Sequence, residues 1–201
     1  MEQPLLESNW RVSSPTRSAK YKTRAGRIKL QNKTKMIALM SIYAALYVVL
    51  VFFSPFPPYG PLQIRIADCL IAVVPLLGFA GVLGHTLGVF IANIPSAFMP
   101  FDLLNVIPSF IMSFMVYYIY RKTNNKYTVI ATCSAYSVVL GITVGYMLSY
   151  FGNPLFETIL YVTIGNIVAS VLLGWPLFIL LKRLGIQQLI GQEKERGRAD
   201  E

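Results

Sequence analysis

The chain has 201 residues, 55% of them hydrophobic and only 13% charged, and carries a formal net charge of +9. An ordinary soluble domain of this length needs more polar surface than that composition supplies. A net positive charge of this size also fits nucleic acid, but 17 of the 18 Lys and Arg residues fall in segments 11–35, 121–126 and 182–198, with long apolar stretches between them. That confinement is explained by membrane orientation and attraction to anionic lipid headgroups, with the basic segments held on the cytoplasmic side.

In chain order, residues 1–35 are polar and basic, and lack the apolar core and small-residue cleavage site of a secretory signal. They are expected to form a disordered cytoplasmic tail. The first membrane helix is expected at about 36–54. Ala38, Ser41 and Ala45 share one of its faces; such small residues either pack internally or offer a flat surface to another membrane subunit. Ser54–Pro61 holds four prolines in eight residues, which makes it a stiff, extended outer loop, either a connector with aromatic anchors or a lid over a pocket.

Residues 61–95 are too long for one simple span, yet two helices of about 16 residues would each reach only about 24 Å of an apolar core about 30 Å thick. A single crossing here would put Arg121–Lys126 and the basic C-terminus outside. A hairpin of short helices, 63–77 and 80–95, turning at Gly78–Gly81, restores every basic segment to the inside. With helices at 102–120, 127–150 and 157–181, the expected fold is an all-α integral membrane protein. It has six transmembrane helices in a membrane domain over 36–183, both termini cytoplasmic, and a C-terminal tail over 184–201.

Several polar groups inside this apolar frame need a reason. Arg65 and Asp68 lie three apart on one helix face, where they either neutralise each other near the interface or line a polar site. Asn93 closes the third helix, Asp102, Asn105, Ser109 and Ser113 form a polar stripe on the fourth, and Asn166 lies inside the sixth. A carboxylate offers two acceptor oxygens to a pair of N–H donors, and asparagines both donate and accept, so this set suits an uncharged or cationic heterocycle. His85, the only histidine, has no neighbour at metal-ligand spacing and is expected as a neutral imidazole bonded between helices. Gly84-xxx-Gly88-xxx-Ala92, and Ser134, Ser137, Gly141 and Gly145, read as packing seams. Cys69 and Cys133 lie far apart in apolar segments and imply neither a disulfide framework nor a metal motif.

Ile64-Arg65-Ile66-Ala67-Asp68-Cys69-Leu70, Val74-Pro75-Leu76, Gly84-xxx-Gly88-Val89-Phe90-Ile91-Ala92-Asn93 and Asp102 come in an order that resembles the queuosine-precursor transporter (QueT) family. The first-helix run Ala44–Leu50 and the sixth-helix Gly165-Asn166 and Gly174-Trp175-Pro176-Leu177 extend the similarity over about 36–181. Asp68 stands where the family usually has glutamate, Asn166 where an acidic residue is expected, and His85 is unusual. The resemblance implies a substrate-binding S component of an energy-coupling factor importer, capturing a 7-deazaguanine precursor from outside. It further implies a transmembrane T component, docked on Ser41 and Ala45, two cytoplasmic ATPases, and the proline-rich loop as lid. The chain itself has no phosphate-binding loop of the Gly-x-x-x-x-Gly-Lys-Ser/Thr type, so ATP coupling falls to partners, and no cofactor is implied. The rival readings are an S component for another vitamin or nucleobase, and a non-transport accessory protein. An enzyme is not expected, because none of the common catalytic signatures is present.

Overall fold

The computed structural model describes residues 17–54 and 65–187, with side chains from Lys33 onward. Six helical segments lie among them: α1 (Arg17–Phe52), α2 (Ile66–Leu77), α3 (Phe79–Asn93), α4 (Phe101–Thr123), α5 (Lys126–Ser149) and α6 (Leu155–Arg183). The described residues contain no strand. α4, α5, α6 and Lys33–Phe52 of α1 are each long and apolar enough to cross a membrane, whereas α2 and α3 are shorter. The lid expected at Ser54–Pro61 falls, apart from Ser54, outside the described residues.

Two local features depart from expectation. Residues 17–35 are helical, where a disordered tail was expected; eight of the nineteen are Lys or Arg, which favour helix once a nucleus exists. The short second helix is wound mainly as a 3₁₀-helix over Ile66–Val73, with one α-turn, Val74–Leu77, that carries Pro75 where no donor is needed. At about 2.0 Å per 3₁₀ residue, α2 reaches about 22 Å rather than the roughly 18 Å of an all-α helix of its length.

The connections follow local chemistry. Gly78 adopts φ +66°, open to glycine, and turns α2 into α3 at the position expected for the hairpin. Asn124 takes the left-handed conformation (φ +50°) at the end of α4, and the Asn125 side chain accepts the Tyr127 backbone N–H at 3.0 Å to start α5. α6 is interrupted by a π-helical stretch, Val168–Leu173.

The bundle is apolar outside and polar within. Ile42, Phe53, Phe156 and Leu172 are exposed, while Asp68, His85, Asn93, Asp102, Asn105, Ser113 and Ser137 are buried beside an apolar core that includes Val51, Ile71, Leu76, Val116 and Phe178. That inversion belongs to a protein whose surroundings are lipid. Cys69 and Cys133 are free and buried.

Both glycine seams have definite partners. A Cβ on Gly84 would lie 3.0 Å from Met40 O and Tyr43 Cβ, and one on Gly88 would lie 2.8 Å from Tyr47 Cβ, so α3 packs directly on the tyrosine face of α1. Gly141 and Gly145 face Thr163 and Ile159 and bring α5 against α6. Close approach of this kind supplies van der Waals attraction where no hydrophobic effect operates between helices.

Candidate ligand-binding site

α1 has two faces. Ala38, Ser41 and Ala45 are exposed, whereas Tyr43 and Tyr47, one turn apart, are buried and turned inward. Because Gly84 and Gly88 let α1 approach, these two hydroxyls reach groups on α2 and α3. Tyr47 donates to Asp68 Oδ1 at 2.7 Å, and Tyr136 of α5 donates to the same oxygen at 3.2 Å. Tyr136 lies 3.3 Å from His85 Nε2, and Tyr43 lies 3.1 Å from His85 Nδ1. His85, buried completely, is thus bonded between α1 and α5, as its sequence context led one to expect. Asp68 is 1% exposed, and its Oδ2 has no hydrogen-bond partner among the described residues. An unmatched carboxylate oxygen in a buried setting is costly.

A second polar group adjoins the first through Arg65, whose guanidinium carbon lies 5.9 Å from the Tyr47 ring centroid. Arg65 Nη2 donates to Asn93 Oδ1 at 3.3 Å, and Asn93 Nδ2 donates to the Asp102 carbonyl at 2.9 Å. The Asp102 carboxylate accepts from Asn105 Nδ2 at 3.4 Å on Oδ1 and from the Ser96 hydroxyl on Oδ2. Ser96 Oγ in turn accepts the Phe98 backbone N–H at 3.1 Å, so the carboxylate ties down the connection between α3 and α4. The polar stripe Asp102, Asn105, Ser109 and Ser113 is buried along its length.

The model of the family described as "QueT transporter" matches residues 37–183, well over half of the chain. The chain belongs to the QueT transporter family. No curated protein and no solved structure matches it. This QueT-family chain is a multi-pass membrane protein of a transporter family, not of an enzyme family, which agrees with the sequence reading.

Of the residues singled out from sequence, the QueT fold joins Arg65, Asn93, Asp102 and Asn105 in one network and places Asp68 in the adjoining tyrosine cluster. Among the described residues Asn166 stands apart from both hydrogen-bond networks; it is 2% exposed, and its Oδ1 is a second buried acceptor with no partner among them. The two carboxylates differ in kind. Both Asp102 oxygens hold donors from within the chain, whereas Asp68 offers one oxygen, not the two that a bidentate reading requires. Accordingly, Asp102→Ala takes the carboxylate from the Ser96 hydroxyl and leaves Asn105 Nδ2 with Met147 Sδ at 3.7 Å, and is expected to lower stability by about 2 kcal/mol, measurable by thermal unfolding in detergent. Stability equal to wild type would show that the tie contributes nothing.

The sequence reading missed Tyr43, Tyr47 and Tyr136. The signal was available for two of them. Tyr43 and Tyr47 recur at i, i+4 opposite the small residues of α1, and Gly84 and Gly88 flank His85 on the helix that meets them.

Proposed function

We propose that this QueT-family protein is the substrate-binding S component of an energy-coupling factor importer, taking a 7-deazaguanine-type queuosine precursor from outside. The buried, unpartnered Asp68 Oδ2 is the observation that carries the reading. It is an acceptor placed inside the bundle with no hydrogen-bond donor among the described residues, and a ring N–H of a neutral heterocycle meets it without importing a second charge. Arg65, Asn93, Asn105 and Asn166 lie on the elements around it, and Asp102 holds the connection between α3 and α4 in place. Six crossings with both termini cytoplasmic satisfy the basic segments, and the added reach of a 3₁₀-wound α2 favours this count. On this reading the membrane domain spans 36–183, with a cytoplasmic segment at either end.

The exposed small face of α1, Ala38, Ser41 and Ala45, is the docking surface for a T component, with two ATPases completing the importer. Ser41→Leu together with Ala45→Leu is expected to abolish cellular uptake while ligand affinity of the purified protein stays at wild type, since the substituted side chains point away from Tyr43 and Tyr47. Retained uptake would remove the docking assignment. The substrate assignment is tested by calorimetric titration of the detergent-solubilised protein with 7-cyano- and 7-aminomethyl-7-deazaguanine, against riboflavin, thiamine and biotin. Heat from a deazaguanine alone supports it; heat from one of the vitamins reassigns the substrate.

A further inference from the structure

The proton positions in the tyrosine cluster follow from its contacts. Tyr47 and Tyr136 both spend their single hydroxyl proton on Asp68 Oδ1. Toward His85 Nε2, 3.3 Å away, the Tyr136 oxygen is then left only as an acceptor, so Nε2 carries a hydrogen. In a neutral imidazole this leaves Nδ1 bare, ready to accept from the Tyr43 hydroxyl at 3.1 Å. The donations therefore run one way, from Tyr43 to His85 to Tyr136 to Asp68, with Tyr47 joining at the same oxygen. Each contact uses one proton and no two donors face each other. Within this group of five side chains, the buried polar atom left without a partner is Asp68 Oδ2.

The ring geometry supports the same arrangement. Tyr43, Tyr47 and Tyr136 all meet the imidazole edge-on, with centroids 6.0, 5.2 and 5.7 Å away. Their planes fix the ring from three sides, on α1 and α5, and Gly84 and Gly88 let α1 approach closely enough for Tyr43 and Tyr47 to take part. His85 touches no free acceptor of the site itself; it acts through Tyr136 and is a positioning residue.

We propose that Tyr43, His85 and Tyr136 form a one-way relay that, with Tyr47, fills Asp68 Oδ1 and leaves Oδ2 as the one oxygen open to the ligand, so that Asp68 meets a ring N–H at a single oxygen and does not grip a two-donor edge with both. This deepens the substrate-site reading of Asp68 and rests on it. For a deazapurine, Asp68 then engages the ring N–H and gives an exocyclic amine beside it no oxygen of its own. The tyrosine hydroxyls are what impose that choice, because without them Oδ1 becomes available to a second donor.

Two measurements on the full-length, detergent-solubilised protein test this. With a single histidine in the chain, nitrogen-15 histidine labelling gives one imidazole in the spectrum, and the neutral tautomer protonated at Nε2 is expected. A ring protonated at Nδ1, or at both nitrogens, overturns the relay without any variant having to fold. The second measurement compares the affinities of 7-deazaguanine and 7-deazahypoxanthine, which lacks the exocyclic amine, in wild type and in the Tyr47→Phe/Tyr136→Phe variant. The preference for 7-deazaguanine is expected to rise about tenfold in the variant, as a second donor gains a charged acceptor. An unchanged preference overturns the single-oxygen contact while leaving the transport reading in place. Binding of neither probe by wild type overturns both.

Discussion

Asp68→Asn is expected to weaken binding of a 7-deazaguanine about a hundredfold while the protein stays folded. The tyrosines decide how the substituted side chain sits. Both hydroxyls donate to Oδ1, so the new amide keeps its carbonyl oxygen beneath them and presents its NH₂ group where Oδ2 had been. A donor then faces the ligand's N–H, and a charge-assisted bond of about 1.5–3 kcal/mol is replaced by repulsion. The internal contacts of the side chain are retained, which is why stability should hardly change. Calorimetric titration and thermal unfolding on the same preparation check both halves; affinity within threefold of wild type would dismiss Asp68 as a ligand contact.

Gly145→Leu is expected to destabilise the bundle by about 3 kcal/mol, the upper end of what an overfilled interface costs. A Cβ at this position would lie 2.9 Å from Ile159 Cα and 3.0 Å from Ile159 N, and backbone atoms of a helix cannot turn aside as a side-chain tip can. A Cβ on Gly141, one turn earlier, would meet Thr163 Cα at 3.1 Å, so there is no room to slide along the seam. α5 and α6 must separate. In lipid that loss is not offset by a hydrophobic effect, because close packing is what holds the two helices together. Val138→Leu, on an exposed position of the same helix, serves as the control and should leave the unfolding transition where it is. Equal transitions for the two variants would show that the glycine seam is not a point of tight contact.

How much of this was legible in the sequence depended on the physics involved. The all-helical architecture, the hairpin turn at Gly78 and the buried stripe on α4 follow from periodicity, glycine and the distribution of apolar residues, all local properties. The winding of α2 did not, because a 3₁₀-helix and an α-helix of the same apolar composition leave the same pattern. Helix formation in residues 17–35 was missed because charge density was weighed above helix propensity. In the site, Arg65, Asp68, Asn93, Asp102 and Asn105 stood out as polar residues in an apolar setting. What sequence cannot rank is which of two aspartates is already satisfied. Asp102 finds Ser96 six residues away, but the donors to Asp68 come from 21 and 68 residues away, and those pairings exist only after α1 and α5 have packed. The tyrosines were overlooked for a related reason: a Tyr in a membrane helix reads as an interfacial anchor until its hydroxyl is seen to point inward.

In α6, the stretch Val168–Leu173 steps its hydrogen bonds from i to i+5 where an α-helix uses i to i+4. The helix thereby stores about one residue more than its flanking turns need. Deleting a single residue within 168–173 would let the stretch close into ordinary α-helix without rotating what lies before or after it. Asn166 and Phe178 would each keep the direction they have now. A homologous chain one residue shorter at this point would carry the same interior, and a one-residue gap there in an alignment would signify conserved geometry.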